Sequence, residues 1–214
     1  MPELNEYKNK HLNEDIYILG SGKSVDFIDN SFFENKTIIG VNQVYKKTKC
    51  KYLLRKENKL LEQVINDNPD TIHFISKGDC GRHDGVNDRI VKNKFKNNNN
   101  IVTYNHNNNK CYLDMDIVTT IKDDELIVSS STITTAIHLA AYMGSKNIFL
   151  VGHDGGLING ECNFNGYHND ETYKIAWSNG KSDYLKWLSY IERDTIILKR
   201  MLMEKYKCNI VSIN

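Results

Sequence analysis

The chain alternates short, β-branched apolar runs with amphipathic segments, and the best-defined runs stop at a glycine or an asparagine. Ile16-Tyr17-Ile18-Leu19 halts at Gly20, residues 37–41 halt at Asn42, and Asn147-Ile148-Phe149-Leu150-Val151 halts at Gly152. Runs this short with no polar alternation read as strands buried on both faces. Tyr52-Leu53-Leu54, residues 71–76 and Leu126-Ile127-Val128 read the same way, and residues 209–213 read as an edge strand. Helical spacing lies between them at 57–66 (Leu60, Leu61, Val64, Ile65), 133–143 and 182–207. Ile137, Ala140, Ala141 and Gly144 give the middle helix a small-residue face able to lie close to a sheet. Strands alternating with helices predict an α/β fold, a Rossmann-like and mostly parallel sheet flanked by helices.

The 214 residues fit one nucleotide- or nucleotide-sugar-binding domain over 1–214. A polar, aromatic, glycine-bearing stretch at 157–181 reads as a lid within it. Residues 1–14 are polar and read as peripheral. Residues 77–112, with Asn97–Asn100, read as one long irregular segment, and basic 92–96 reads as solvated loop. The 28 basic and 27 acidic side chains nearly cancel, which argues against a nucleic-acid partner. No apolar run approaches the roughly 20 residues that span a bilayer, and the polar start is unlike a signal peptide. The five cysteines are scattered and never form CxxC, as expected of reduced thiols in the cytoplasm, the inner face of the membrane included. Oligomerisation is left open.

In open parallel sheets, ligands bind at the carboxyl ends of strands, and three distinctive segments fall there. Gly20-Ser21-Gly22-Lys23-Ser24 lets the backbone approach a ligand and offers amides, with a Lys23 charge, to an anion; Ser24 is the expected N-cap of an amphipathic stretch with Val25, Phe27 and Ile28 on one face. The loop matches neither GxxxxGK[ST] nor GxGxxG, since Val25 stands at the third glycine, and a plain tight turn would use the same glycines. Asn42 has hydrogen-bonding capacity for a base, sugar or carbonyl, with a turn cap as its competing use. In Ser129-Ser130-Ser131-Thr132 one hydroxyl caps a helix and the others are spare for phosphate or ribose. His153 and Asp154 close the most hydrophobic run, where an imidazole and a carboxylate serve as general base or ligand-binding groups. His168 is a second candidate base, and Tyr167, Tyr173 and Trp177 are the lid aromatics suited to stacking. No histidine spacing matches a metal site, and none is assigned.

The order of these motifs resembles two related groups. A strand ending in Gly-x-Gly-x-Ser (Gly20–Ser24), a second ending in Asn42-Gln43, a Ser/Thr segment (Ser131-Thr132) before an Ala-rich helix, and a strand closing in Gly152-His153-Asp154 are similar to the bacterial lipooligosaccharide sialyltransferases. They are also similar to the motility-associated glycosyltransferases and 6-hydroxymethylpterin diphosphokinase-like proteins. The sialyltransferase resemblance implies that Gly20, Ser21, Gly22, Asn42, Ser131, Thr132 and Asp154 line a cleft for a CMP-linked donor. It also implies a tyrosine-bearing lid and a histidine base. The chain departs from that pattern in having Gly156 where the lid tyrosine stands and Lys23 where a proline precedes the loop serine. His168 is the nearest counterpart of the base. The function expected is transfer of a sugar from a nucleotide-sugar donor, CMP-linked donors included, to a surface-glycan or small-molecule acceptor, with no cofactor firmly implied. The alternatives are a Mg²⁺-dependent diphosphokinase-type phosphotransferase, with Asp154 and Asp79 or Asp84 as ligands, and a non-catalytic nucleotide-binding module.

Overall fold

A computed structural model describes residues 1–80, 82–107, 120–167 and 181–213. Eight strands form one sheet in the order β6-β5-β4-β3-β2-β1-β7-β8. They are β1 (Asp15–Leu19), β2 (Ile38–Val41), β3 (Tyr52–Arg55), β4 (Ile72–Ser76), β5 (Ile101–His106), β6 (Glu125–Leu126), β7 (Asn147–Val151) and β8 (Asn209–Ser212). Every pairing is parallel. The chain lays down β1 to β6 in one direction and then returns to place β7 beside β1, with Leu19 opposite Val151. The order therefore reverses between β1 and β7, where a parallel sheet opens a crevice at its carboxyl edge.

The helices are α1 (Leu61–Asp67), α2 (Val86–Lys94), α3 (Thr132–Tyr142) and α4 (Lys181–Tyr206). Every residue of α3 is buried. Thr132, Ile133, Thr134, Thr135 and Ile137 are poor helix formers, so burial against the sheet, and not propensity, makes this segment helical. Ser131 caps it, its side chain accepting from the Ile133 N–H. At the far end Gly144 adopts φ 84°, the left-handed geometry that closes a helix, so it terminates α3 and does not extend its small-residue face.

Four expectations need correction. Residues 1–14 are not peripheral. The N–H groups of Asn9, His11 and Asn13 donate to the carbonyls of Tyr142, Met143 and Gly144, satisfying acceptors that the end of α3 leaves open. Leu4, Tyr7 and His11 are buried there, with Tyr7 packed edge-on to Phe74 and His11 Nε2 2.8 Å from Tyr52 Oη. The irregular middle also contains α2 and β5, so Lys92 and Lys94 are helical; Lys92 pairs with Asp88 one turn away, at 2.5 Å. The first helix begins four residues later than its spacing suggests, because Leu60 sits at φ 62°. Finally, the stretch after the glycine loop is a 3-10 turn, Lys23–Phe27, with Gly22 as its N-cap. Val25 is buried and Phe27 exposed, so the two do not share a face.

Candidate functional site

A cleft of about 200 Å³ opens at the carboxyl edge of β1, β2, β3 and β7. Gly20, Ser21 and Gly22 line it from β1, Asn42 and Gln43 from β2, Lys56 and Glu57 from β3, and Gly152, His153 and Asp154 from β7. Ser130, Ser131, Thr132 and Ile133 bring the N-terminal turn of α3 into it. Cys162, Asn163 and Tyr167 close one side, and Trp187, Leu188 and Ile191 of α4 close another.

The glycine loop is bound to its neighbouring strand. Gly20 N–H donates to Val151 O at 2.8 Å and Gly22 N–H to Gly152 O at 2.9 Å. Ser24 donates to Asp154 twice, from its N–H at 2.9 Å and its hydroxyl at 2.5 Å. A Cβ at Gly20 would fall 2.5 Å from Gly152 O, and one at Gly22 would fall 2.5 Å from the Asp154 carboxyl. These glycines are thus required for β1 and β7 to close against each other, which is a packing reason where a ligand-approach reason was expected. Three loop amides expected to hold an anion (Gly20, Gly22 and Ser24) are already donating within the fold.

Lys23 and Ser24 turn away from the cleft. Lys23 Nζ lies 2.9 Å from Asp26, 2.6 Å from Glu161 and 3.0 Å from Asn165, and so staples the 157–167 segment to the loop. Ser24 faces the Asp154 carboxylate, which takes the place at the start of the turn where an external anion was expected. The remaining expected groups come together. Asn42 sits at φ 55°, a left-handed geometry that asparagine tolerates. Its Oδ1 is buried with no hydrogen-bond partner among the described residues. Tyr167 is buried, its hydroxyl hydrogen-bonded to Ser21 and Asn42; burial pushes its pKa up to about 12, with those two bonds acting the other way. Phe164 N–H donates to Ser21 O at 3.0 Å and Lys46 to Tyr167 O at 3.1 Å, fixing this segment over the loop.

His153 borders the cleft, with Nε2 3.4 Å from Thr195 Oγ1 of α4. Burial holds its imidazole below the ordinary histidine value, and the Asp154 charge opposes that shift. At neutral pH the ring is a neutral base. At the α3 entrance, Ser129 Oγ lies 2.6 Å from Thr134 Oγ1, and Ser130 N–H donates to the buried Asp194 of α4 at 3.3 Å. His168, Tyr173 and Trp177 lie outside the described residues.

Of the lining residues, Lys56, Glu57 and Trp187 have no site role from the sequence alone, and Gln43 and the 162–163 pair enter only within the Asn42-Gln43 motif and the 157–181 lid. For Lys56 and Glu57 the signal was available: a charged pair directly after a buried strand, the same logic that selected Asn42. Asp79 and Asp84, offered with Asp154 as ligands for magnesium, do not line the cleft. They lie beyond β4, where Asp79 Oδ1 accepts the Asn58 N–H and Asp84 Oδ1 accepts the N–H groups of Asp79 and Val86. Among the described residues no three His, Cys, Asp or Glu side chains form a cluster able to hold a metal ion. No described helix is long and apolar enough to cross a membrane.

No protein-family model and no curated protein matches the chain. Solved structures do. The sialyltransferase CstII from Campylobacter jejuni, in complex with the substrate analogue cytidine-5'-monophosphate, aligns at 16% identity and TM-score 0.54, covering 94% of this chain and 80% of that one. The monofunctional α-2,3-sialyltransferase Cst-I from the same organism aligns at 14% identity and TM-score 0.53, covering 94% and 75%. A CST-II variant in complex with CMP gives 16% identity and TM-score 0.55, covering 93% and 81%. At these identities the likeness establishes a common fold, and the fold this chain adopts is that of these bacterial sialyltransferases.

Proposed function

We propose that the chain is a glycosyltransferase that moves a sugar from a nucleotide-sugar donor to a hydroxyl of a surface-glycan acceptor. The observation that carries this reading is a convergence. One cleft at the reversal of strand order holds an unsatisfied acceptor on Asn42, the hydroxyl-rich first turn of α3, the Tyr167 phenol and the neutral imidazole of His153. The shared fold with sialyltransferases solved with CMP supports a cytidine nucleotide as the first donor to test.

In this reading the acceptor hydroxyl attacks the anomeric carbon. A new carbon–oxygen bond forms there as the bond to the phosphate oxygen breaks, and the electron pair leaves with the nucleotide. His153 takes the hydroxyl proton, a role suited to an imidazole that burial keeps unprotonated at neutral pH. Asn42 accepts a hydrogen bond from the base or sugar through Oδ1, and Tyr167 donates beside it. Asp154 positions the loop through Ser24 and does not act as a nucleophile. His168 is the second candidate for the base.

The test is a thermal-shift screen with CMP, UDP, GDP and ATP, with and without Mg²⁺, followed by nucleotide release from the sugar conjugate of the best ligand. Stabilisation by a mono- or diphosphate without metal, with release that His153→Gln removes and binding that it preserves, is the expected result. Turnover intact in both His153→Gln and His168→Gln refutes the assignment of the base. ATP with Mg²⁺ as the preferred ligand favours phosphotransfer, and binding with no release leaves a nucleotide-binding module.

A further inference from the structure

We infer that Lys23 is a positioning residue of the cleft, holding Tyr167 in place without meeting the ligand itself; this rests on the cytidine-nucleotide reading above. Lys23 is 8% exposed and does not itself line the cleft. An ammonium has three N–H donors, and three acceptors surround this one: Asp26 Oδ2 at 2.9 Å, Glu161 Oε2 at 2.6 Å and Asn165 Oδ1 at 3.0 Å. A cation saturated in this way has no donor left for a phosphate. Asp26 belongs to the turn after the glycine loop, whereas Glu161 and Asn165 belong to the segment that closes one side of the cleft. Lys23 therefore ties the two together.

The grip reaches Tyr167 through two residues. Asn165 is held twice, its side chain by Lys23 and its N–H by both oxygens of Asp26, at 3.0 and 3.2 Å. Asn165 is also the second residue of a tight turn over 164–167, closed by the Tyr167 N–H donating to Phe164 O at 3.2 Å. Gly166, the third, sits at φ 81°, a left-handed geometry that glycine adopts without strain. With Asn165 fixed, the turn sets where its last residue points. Phe164 is buried, packs edge-on against Tyr167 with ring centroids 5.2 Å apart, and donates its N–H to Ser21 O. Tyr167 is thereby presented to Ser21 and Asn42, the two side chains its hydroxyl meets in the cleft. Lys46, bonded to Tyr167 O at 3.1 Å, holds the far end of the turn, so release of Lys23 frees the near end without unseating the whole segment.

Cytidine and CMP, which differ by a phosphate, separate positioning from direct contact. Calorimetric affinities for both should fall by the same factor, roughly tenfold, in Lys23→Met, which keeps the packed stem. Amide hydrogen exchange at Phe164, Asn165 and Tyr167, measured without nucleotide, should quicken by about tenfold while the urea midpoint of the whole chain stays near that of wild type. In a Tyr167→Phe background the same change should weaken cytidine by less than about twofold, because the hydroxyl that Lys23 positions is already gone. Glu161→Gln, at a half-exposed partner, serves if the methionine variant does not fold, with smaller effects of the same sign. A loss confined to CMP places Lys23 on the phosphate and overturns the assignment. Unchanged exchange overturns it too, as do equal losses with and without the Tyr167 hydroxyl. If neither cytidine nor CMP binds wild type, the cytidine-nucleotide reading falls, and the exchange at 164–167 alone decides whether Lys23 positions Tyr167.

Discussion

Gly22→Ala puts the packing account of the glycine loop to a quantitative test. Gly22 has φ −58° and ψ 154°, a conformation open to alanine, so no backbone strain enters. The cost is steric. The new methyl would stand 2.5 Å from both the Asp154 Cγ and Oδ2, and 2.6 Å from Gly152 O. Overpacking of this kind costs roughly 1–3 kcal/mol. Displacing the Asp154 carboxylate also weakens its two bonds to Ser24, each of a charged type worth about 1.5–3 kcal/mol where buried and less in a half-exposed site like this one. A total loss of about 2–3 kcal/mol follows, measurable by urea unfolding followed by circular dichroism. Asp154→Ala removes one of the two obstacles, so the double variant should be more stable than the sum of the single losses by about 1 kcal/mol. Gly20→Ala meets the Gly152 backbone and Ile133 Cδ1 first, so its loss should simply add to that of Asp154→Ala. Full additivity for both glycines, or wild-type stability in Gly22→Ala, would refute the packing argument.

Three more outcomes follow from the same geometry. Asn42→Gly keeps the left-handed backbone at φ 55° and removes Oδ1 together with the bond to the Tyr167 hydroxyl, so its unfolding free energy should fall by only about 0.5–1.5 kcal/mol while nucleotide affinity falls; unchanged affinity would make Asn42 a turn residue. Tyr167→Phe loses the bonds to Ser21 and Asn42 and should cost about 0.5–1.5 kcal/mol for each in urea unfolding. Acid should destabilise the fold through His138, whose Nδ1 accepts the Ile127 N–H at 2.9 Å and whose imidazole is held down to about 3, chiefly by burial. Below about pH 6.5 the unfolded chain binds a proton that the folded ring refuses, so stability should fall by about 1.4 kcal/mol per pH unit until the folded value is reached. A flat profile from pH 6.5 to 4 in denaturant unfolding would contradict this.

The parts of the fold legible in the sequence are those in which composition alone carries the burial. β1, β2 and β7 are nearly pure apolar runs because both their faces are covered, and the residues that stop them mark the cleft. The hidden parts have their apolar content diluted. α2 shows only Val86, Ile90 and Val91 among charged and amide side chains, and β5 stands between asparagine-rich flanks. The N-terminal segment holds its place through backbone bonds to the end of α3, and a main-chain donor leaves no trace in side-chain pattern. In the site, Asn42, Ser131, Thr132, His153 and Tyr167 could be selected because a polar group after a buried strand, or on a glycine-bearing aromatic segment, needs a reason. The roles of Gly20, Gly22, Lys23 and Ser24 could not, because they depend on Gly152, Asp154 and Glu161, more than 120 residues away in the chain.

The central claim is that the cleft between Asn42, the first turn of α3 and Tyr167 receives a nucleotide. A crystal structure of the chain soaked with CMP tests it most directly. The account predicts nucleotide density in that cleft, with a ligand donor within hydrogen-bonding distance of Asn42 Oδ1. CMP bound elsewhere on the sheet edge, or a cleft still filled by solvent at saturating nucleotide, would contradict it.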